Sequence, residues 1–92
     1  MPYVKPHTRR MLDPIVEEVV EILTSVVPKE AYDGALNYVF TKLLREVLIG
    51  RPTYLRLERA VGILECCKLE LYRRAAAPYE DKKIAENGDV YE

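Results

Sequence analysis

The chain has 92 residues, 49% of them hydrophobic and 32% charged, with a formal net charge of −1. That length predicts one domain with a modest core, a size at which self-association is a common remedy for marginal stability. The near-neutral balance gives no overall pull toward nucleic acid or an anionic membrane, and no apolar run reaches transmembrane length.

The opening MPYVKPHTRR lacks the apolar stretch of a signal peptide. A cytoplasmic protein with no membrane association is therefore expected. Gln and Trp are absent and Ser25 is the only serine; few labile amides beside abundant Glu, Lys and Arg suit a thermophilic source. Residues 1–12 read as an N-terminal arm carrying Lys5, Arg9 and Arg10. His7, between Pro6 and Thr8, would be poorly held there as a general base.

The first helix is predicted to open at Asp13-Pro14. Asp13 can cap it, and Pro14 fits the first helical position because its missing N–H has no partner there. Residues 15–27 are rich in β-branched side chains, which would also suit a strand. Periodicity decides for a helix: Ile15, Val16, Val19, Val20, Ile22, Leu23, Val26 and Val27 gather on one side, with Glu17, Glu18, Glu21, Thr24 and Ser25 on the other. Pro28 ends this helix.

The second helix is predicted from Asp33-Gly34 to Ile49. Leu36, Val39, Phe40, Leu43 and Val47 form its apolar stripe, with Gly50 as its stop and Pro52 blocking continuation. Thr53 then caps a third helix from Tyr54 to about Ala77, where Pro78 is expected to stop it. That helix would be roughly 36 Å long. One apolar stripe on it is Leu57, Ala60, Leu64, Cys67, Leu71 and Ala75. A second, nearly opposite, is Leu55, Gly62, Cys66 and Leu69. A helix apolar on two sides has to be covered on two sides. The first two helices can cover one stripe, and little of the chain is left for the other. The expectation is a homodimer seam along Leu55, Gly62, Cys66 and Leu69; the plainer alternative is that the arm or the tail lies over it.

Residues 79–92 read as an extended or hairpin-like tail, docked on the bundle or on a second subunit. Asn87-Gly88 favours a two-residue turn that would pair Glu86 with Asp89, Ala85 with Val90 and Ile84 with Tyr91. Tyr79, Ile84, Val90 and Tyr91 would be apolar anchors, while Glu80, Asp81 and Asp89 would meet a basic partner. Charge alternates along the chain: bases in 1–12, acids in 13–30, bases in 51–77 and acids in the tail, Glu92 included. Such alternation suits intramolecular or subunit pairing better than a nucleic-acid footprint.

Three constellations bear on chemistry. Cys66 and Cys67 are neighbours on a helix, about 100° apart, and cannot close an ordinary disulfide; two small buried side chains are the plainer reading. Glu17, Glu18 and Glu21, with Glu30 and Asp33 after them, look like the magnesium motif of the all-α nucleoside-triphosphate pyrophosphohydrolases. The gap between Glu21 and Glu30 is too short for two facing helices, and solvated acids are the plainer reading. Arg56, Arg59, Arg73 and Arg74 share a sector of the third helix and would suit phosphate contacts, but they equally suit salt bridges to the first helix or the tail. No catalytic residue, metal site or cofactor is implied.

Several segments carry a resemblance: Met1-Pro2-Tyr3, Leu36-Asn37-Tyr38, Gly62 through Cys66, Lys68 through Arg74, and Pro78-Tyr79-Glu80-Asp81-Lys82-Lys83-Ile84 with Asn87-Gly88-Asp89-Val90-Tyr91. Together they resemble a small family of proteins of unknown function, about this long, from bacterial, archaeal and phage genomes. The resemblance implies a free-standing protein and brings no activity, substrate or site residue with it. Phage membership fits a small accessory or partner-binding role.

The sequence thus predicts an all-α three-helix bundle (residues 1–78) with one long C-terminal helix and a short tail (79–92). The expected function is non-enzymatic protein–protein interaction by a homodimer with a protein partner of unknown identity. A nucleic-acid-binding accessory role is the alternative and a magnesium-dependent pyrophosphohydrolase-like enzyme the second.

Overall fold

A computed structural model describes residues 1–91 and divides them into two compact units, one spanning Pro2–Leu57 and the other residues 58–91 with Met1. No strand forms among the described residues. The class is all-α, with three helical stretches and the longest at the C-terminus.

In the first unit, α1 runs Pro6–Val26. It starts a full two turns before the expected Asp13-Pro14, so residues 6–12 are helix and not an arm. Pro6 occupies the first helical position, where its fixed φ is pre-organised and its lost donor costs nothing. The Arg9 N–H then bonds the Lys5 carbonyl at 3.0 Å. Pro14 lies inside the helix, so the Arg10 carbonyl goes without its usual donor. Val27 is extended, as the residue before a proline prefers.

Pro28 leads into a 3₁₀ turn, Lys29–Ala31, and α2 follows directly as Tyr32–Leu44. Asp33 sits in the first turn of α2, where its charge favours the positive end of the helix. A π turn, Arg45–Ile49, closes this stretch with the Gly50 N–H on the Arg45 carbonyl at 2.9 Å. Gly50 has φ +53°, the role expected of it. Within this unit α1 and α2 join through the Pro28 turn, and Val19, Leu23 and Val27 on one side of it and Tyr32, Ala35 and Val39 on the other are half-buried.

Thr53 caps α3 (Tyr54–Leu71), its Oγ1 accepting the Arg56 N–H at 3.2 Å. Pro78 does not stop the third helix. A π turn, Tyr72–Ala76, leads straight into α4, Ala77–Asn87, and every residue from 54 to 87 is helical. The Ala77 N–H reaches back to the Tyr72 carbonyl. That wider turn gives the proline ring room and re-routes the bonding that Pro78 cannot supply.

The expected hairpin is absent too. Gly88, at φ +94°, ends α4, with its N–H on the Ile84 carbonyl at 2.8 Å. A glycine at positive φ serves a helix stop as well as a hairpin turn, and here the helix takes it. Glu92, the last acid of the expected tail, lies outside the described residues.

Among the described residues the one buried hydrophobic side chain is Ala60, 5% exposed. The three helical stretches are where apolar periodicity predicts them, with the first starting earlier and the third running on to Asn87, and no large apolar side chain is buried among the described residues.

Candidate interaction surfaces

Two surfaces emerge, one at the end of α4 and one along α3. The first is built where the chain turns back after Gly88. The last turns of α4 and residues 88–91 line a groove of about 360 Å³. It gathers Glu80, Ile84, Asp89, Val90 and Tyr91, five of the seven tail residues singled out from sequence, with Lys83 and Asn87 between them. Tyr79 and Asp81 are exposed beside it and do not line it. Asp89, half-buried, fixes the turn by accepting the Tyr91 N–H at 2.9 Å. Val90 and Tyr91 remain 89% and 95% exposed, so the apolar end of the groove has no cover.

Lys83 is the residue that sequence reading passed over. Its ammonium sits 5.5 Å from the centre of the Tyr79 ring and 3.1 Å from Glu86 Oε2. Both contacts are legible from spacing: steps of three and four residues bring helical neighbours together. The bond from the Tyr72 hydroxyl to Glu80 is not. Eight residues apart, these two would lie about 80° apart on a regular helix; the extra residue of the π turn rotates them onto one face. The Tyr72 hydroxyl is held above its usual pKa, first by that hydrogen bond, then by the charge of Glu80, and less by burial and Asp81.

The second surface is the stripe on α3. Leu55 is 65% and Leu69 56% exposed, and Cys66 is exposed as well. A methyl group added at Gly62 would meet nothing within 4 Å. Cys66 and Leu69 share a shallow hollow of about 240 Å³ with Met1, Glu70 and Arg73. The opposite stripe is no better covered: apart from Ala60, Leu57, Leu64, Cys67 and Leu71 are all exposed. The two cysteines are therefore surface groups, not the buried pair the plainer reading expected.

Arg56 and Arg73 have partners close to them in sequence. Arg56 donates from Nη1 to the carbonyls of Arg51 at 2.9 Å and Ile49 at 3.4 Å, tying down the turn before its own helix. Arg73 pairs with Glu70 at 3.0 Å. Among the described residues, no three His, Cys, Asp or Glu side chains gather where they could hold a metal ion. Among the described residues, no helix is long and apolar enough to cross a membrane.

A family model described as Domain of unknown function (DUF6899) matches residues 1–90. No curated protein and no solved structure matches the chain.

Proposed function

The chain belongs to this family of unknown function, and we propose that it is a non-enzymatic protein–protein interaction module that works as a homodimer in the cytoplasm. One observation supports this above the others: among the described residues no side chain larger than alanine is buried, while both long faces of α3 are apolar and open. A folded domain is stable by only about 5–15 kcal/mol, and burial of apolar area is the dominant favourable contribution. A second chain would supply the cover that this one lacks.

The C-terminal groove is the surface for a further partner. Val90, Tyr91 and Ile84 are its apolar anchors, and Glu80, Asp81 and Asp89 favour a basic segment. No observation favours nucleic acid, because Arg56 and Arg73 are engaged within the chain.

The test is unfolding followed by circular dichroism at several protein concentrations. A dimer's midpoint rises with concentration; a midpoint that stays fixed over a hundredfold range would count against self-association. Removing residues 79–92 should leave dimerisation through α3 intact and abolish capture of a basic, apolar-anchored partner peptide. Unchanged capture would remove the groove from the interface.

A further inference from the structure

Three sulphur donors meet at one turn of α3. Cys66 and Cys67 are both free thiols and both exposed. Free cysteine is among the residue types most often buried, and where packing does not hold it, its chemistry decides what it does. Cys66 lines the hollow of about 240 Å³ that Met1, Leu69, Glu70 and Arg73 complete. Met1 belongs to the same compact unit as residues 58–91 and is 90% exposed, so an unbranched, adaptable thioether borders the Cys66 position. Cys67 is the next residue along the helix, turned about 100° around its axis.

The spacing that rules out a disulfide suits a bridging ion. A disulfide joins its sulphurs at about 2.0 Å and needs Cβ atoms about 4 Å apart. An ion between two thiolates inserts two metal–sulphur bonds of about 2.3 Å each, the length of a zinc–thiolate bond, and so spans adjacent helical side chains without moving the backbone. The donor set selects the ion. Thiolates and a thioether are soft ligands that favour copper(I). Zinc closes a structural site with four ligands, and among the described residues no third His, Cys, Asp or Glu joins the pair. Hard cations take oxygen ligands, and the carboxylate that lines the hollow, Glu70, is held by Arg73 at 3.0 Å.

We propose that Cys66, Cys67 and Met1 form a copper(I) site. The two thiols bind as thiolates, so two protons leave to solvent as one ion enters, and no electron moves. The Met1 thioether is the weaker third donor. All three donors belong to one chain, so the site goes beyond the interaction role proposed above and does not rest on it. Cys66 also lies on the face offered to a second copy, so ion and copy each weaken the other's hold by the same factor.

The full chain, its Met1 confirmed by mass, is reduced, kept free of oxygen and titrated with copper(I) against bicinchoninate, a coloured copper(I) chelator. X-ray absorption of the loaded protein runs alongside. The expected result is one ion per chain in an all-sulphur shell. Cys66→Ser and Cys67→Ser each abolish competition with the chelator, and the chain beginning at Pro2 gives a titration displaced to higher free copper. Circular dichroism of each variant shows unchanged helicity, because both thiols are exposed. No retained copper overturns the site, as does copper that survives loss of both thiols. One ion per two chains that needs Cys66 and not Cys67 overturns it in favour of a bridge between copies. Equal affinity in the chain beginning at Pro2 removes Met1 and overturns the three-donor set. The native chain decides the matter even where a variant misfolds: oxygen or nitrogen neighbours around its copper overturn the site directly.

Discussion

Tyr72 and Glu80 show how a backbone irregularity acts at the level of single side chains. The π turn brings them together, and the hydroxyl's proton is held by a carboxylate that accepts it. The folded pKa is raised, so the contribution of this bond is complete below the tyrosine's ordinary value near 10. It is lost as pH rises through the folded value, because the unfolded chain gives up the proton first. Titrating tyrosine absorbance at alkaline pH should show one group ionising last, and Tyr72→Phe should remove that group and leave the others in place. Thr53 is the other residue whose role is local: its hydroxyl accepts a donor that α3 cannot satisfy itself. Thr53→Ala should cost about 1 kcal/mol in denaturant unfolding.

At the scale of elements, what the sequence revealed depended on whether a signal had one meaning or two. Apolar spacing placed all three helices, because steps of three and four residues fit nothing else over such lengths. Thr53 and Gly50 were readable as cap and stop for the same reason. Prolines were ambiguous. Asp13-Pro14 and Pro6 can both open a helix, and the chain uses the earlier one. Pro78 can end a helix or be absorbed by a wider turn, and no residue pattern announces the π turn that absorbs it. Asn87-Gly88 can turn a hairpin or end a helix; with the flanking residues already helical, ending it required only the glycine. The groove residues could be named in advance because they cluster within a dozen positions, but the groove itself depends on the helix that was misread. Pro78→Ala tests this account of α4. It should raise helical stability and let the π turn relax to a regular helix. Tyr72 and Glu80 would then part, and the tyrosine's titration would return to its ordinary range.

For the molecule as a whole, the lack of an interior is the fact that organises the rest. Among the described residues Ala60 alone is buried, and the apolar side chains of α1, α2 and α3 stand largely open. Gly62 separates a monomer from a dimer by sign. In an isolated helix Gly62→Leu gains about 1 kcal/mol of helix propensity, and the space around Gly62 is empty within one chain. In a packed seam the added side chain strikes the facing helix. The expected outcome is loss of association by sedimentation, not a more stable protein; a higher melting temperature with unchanged mass would argue for a free surface.

The central claim is that this chain completes its fold only with a second copy. Light scattering coupled to size exclusion, repeated over serial dilution with helicity followed in parallel, tests it most directly. The account predicts a particle of twice 10.6 kDa whose helix content falls as dilution separates the chains. A particle of 10.6 kDa that keeps full helicity and unfolds cooperatively at every concentration would contradict it.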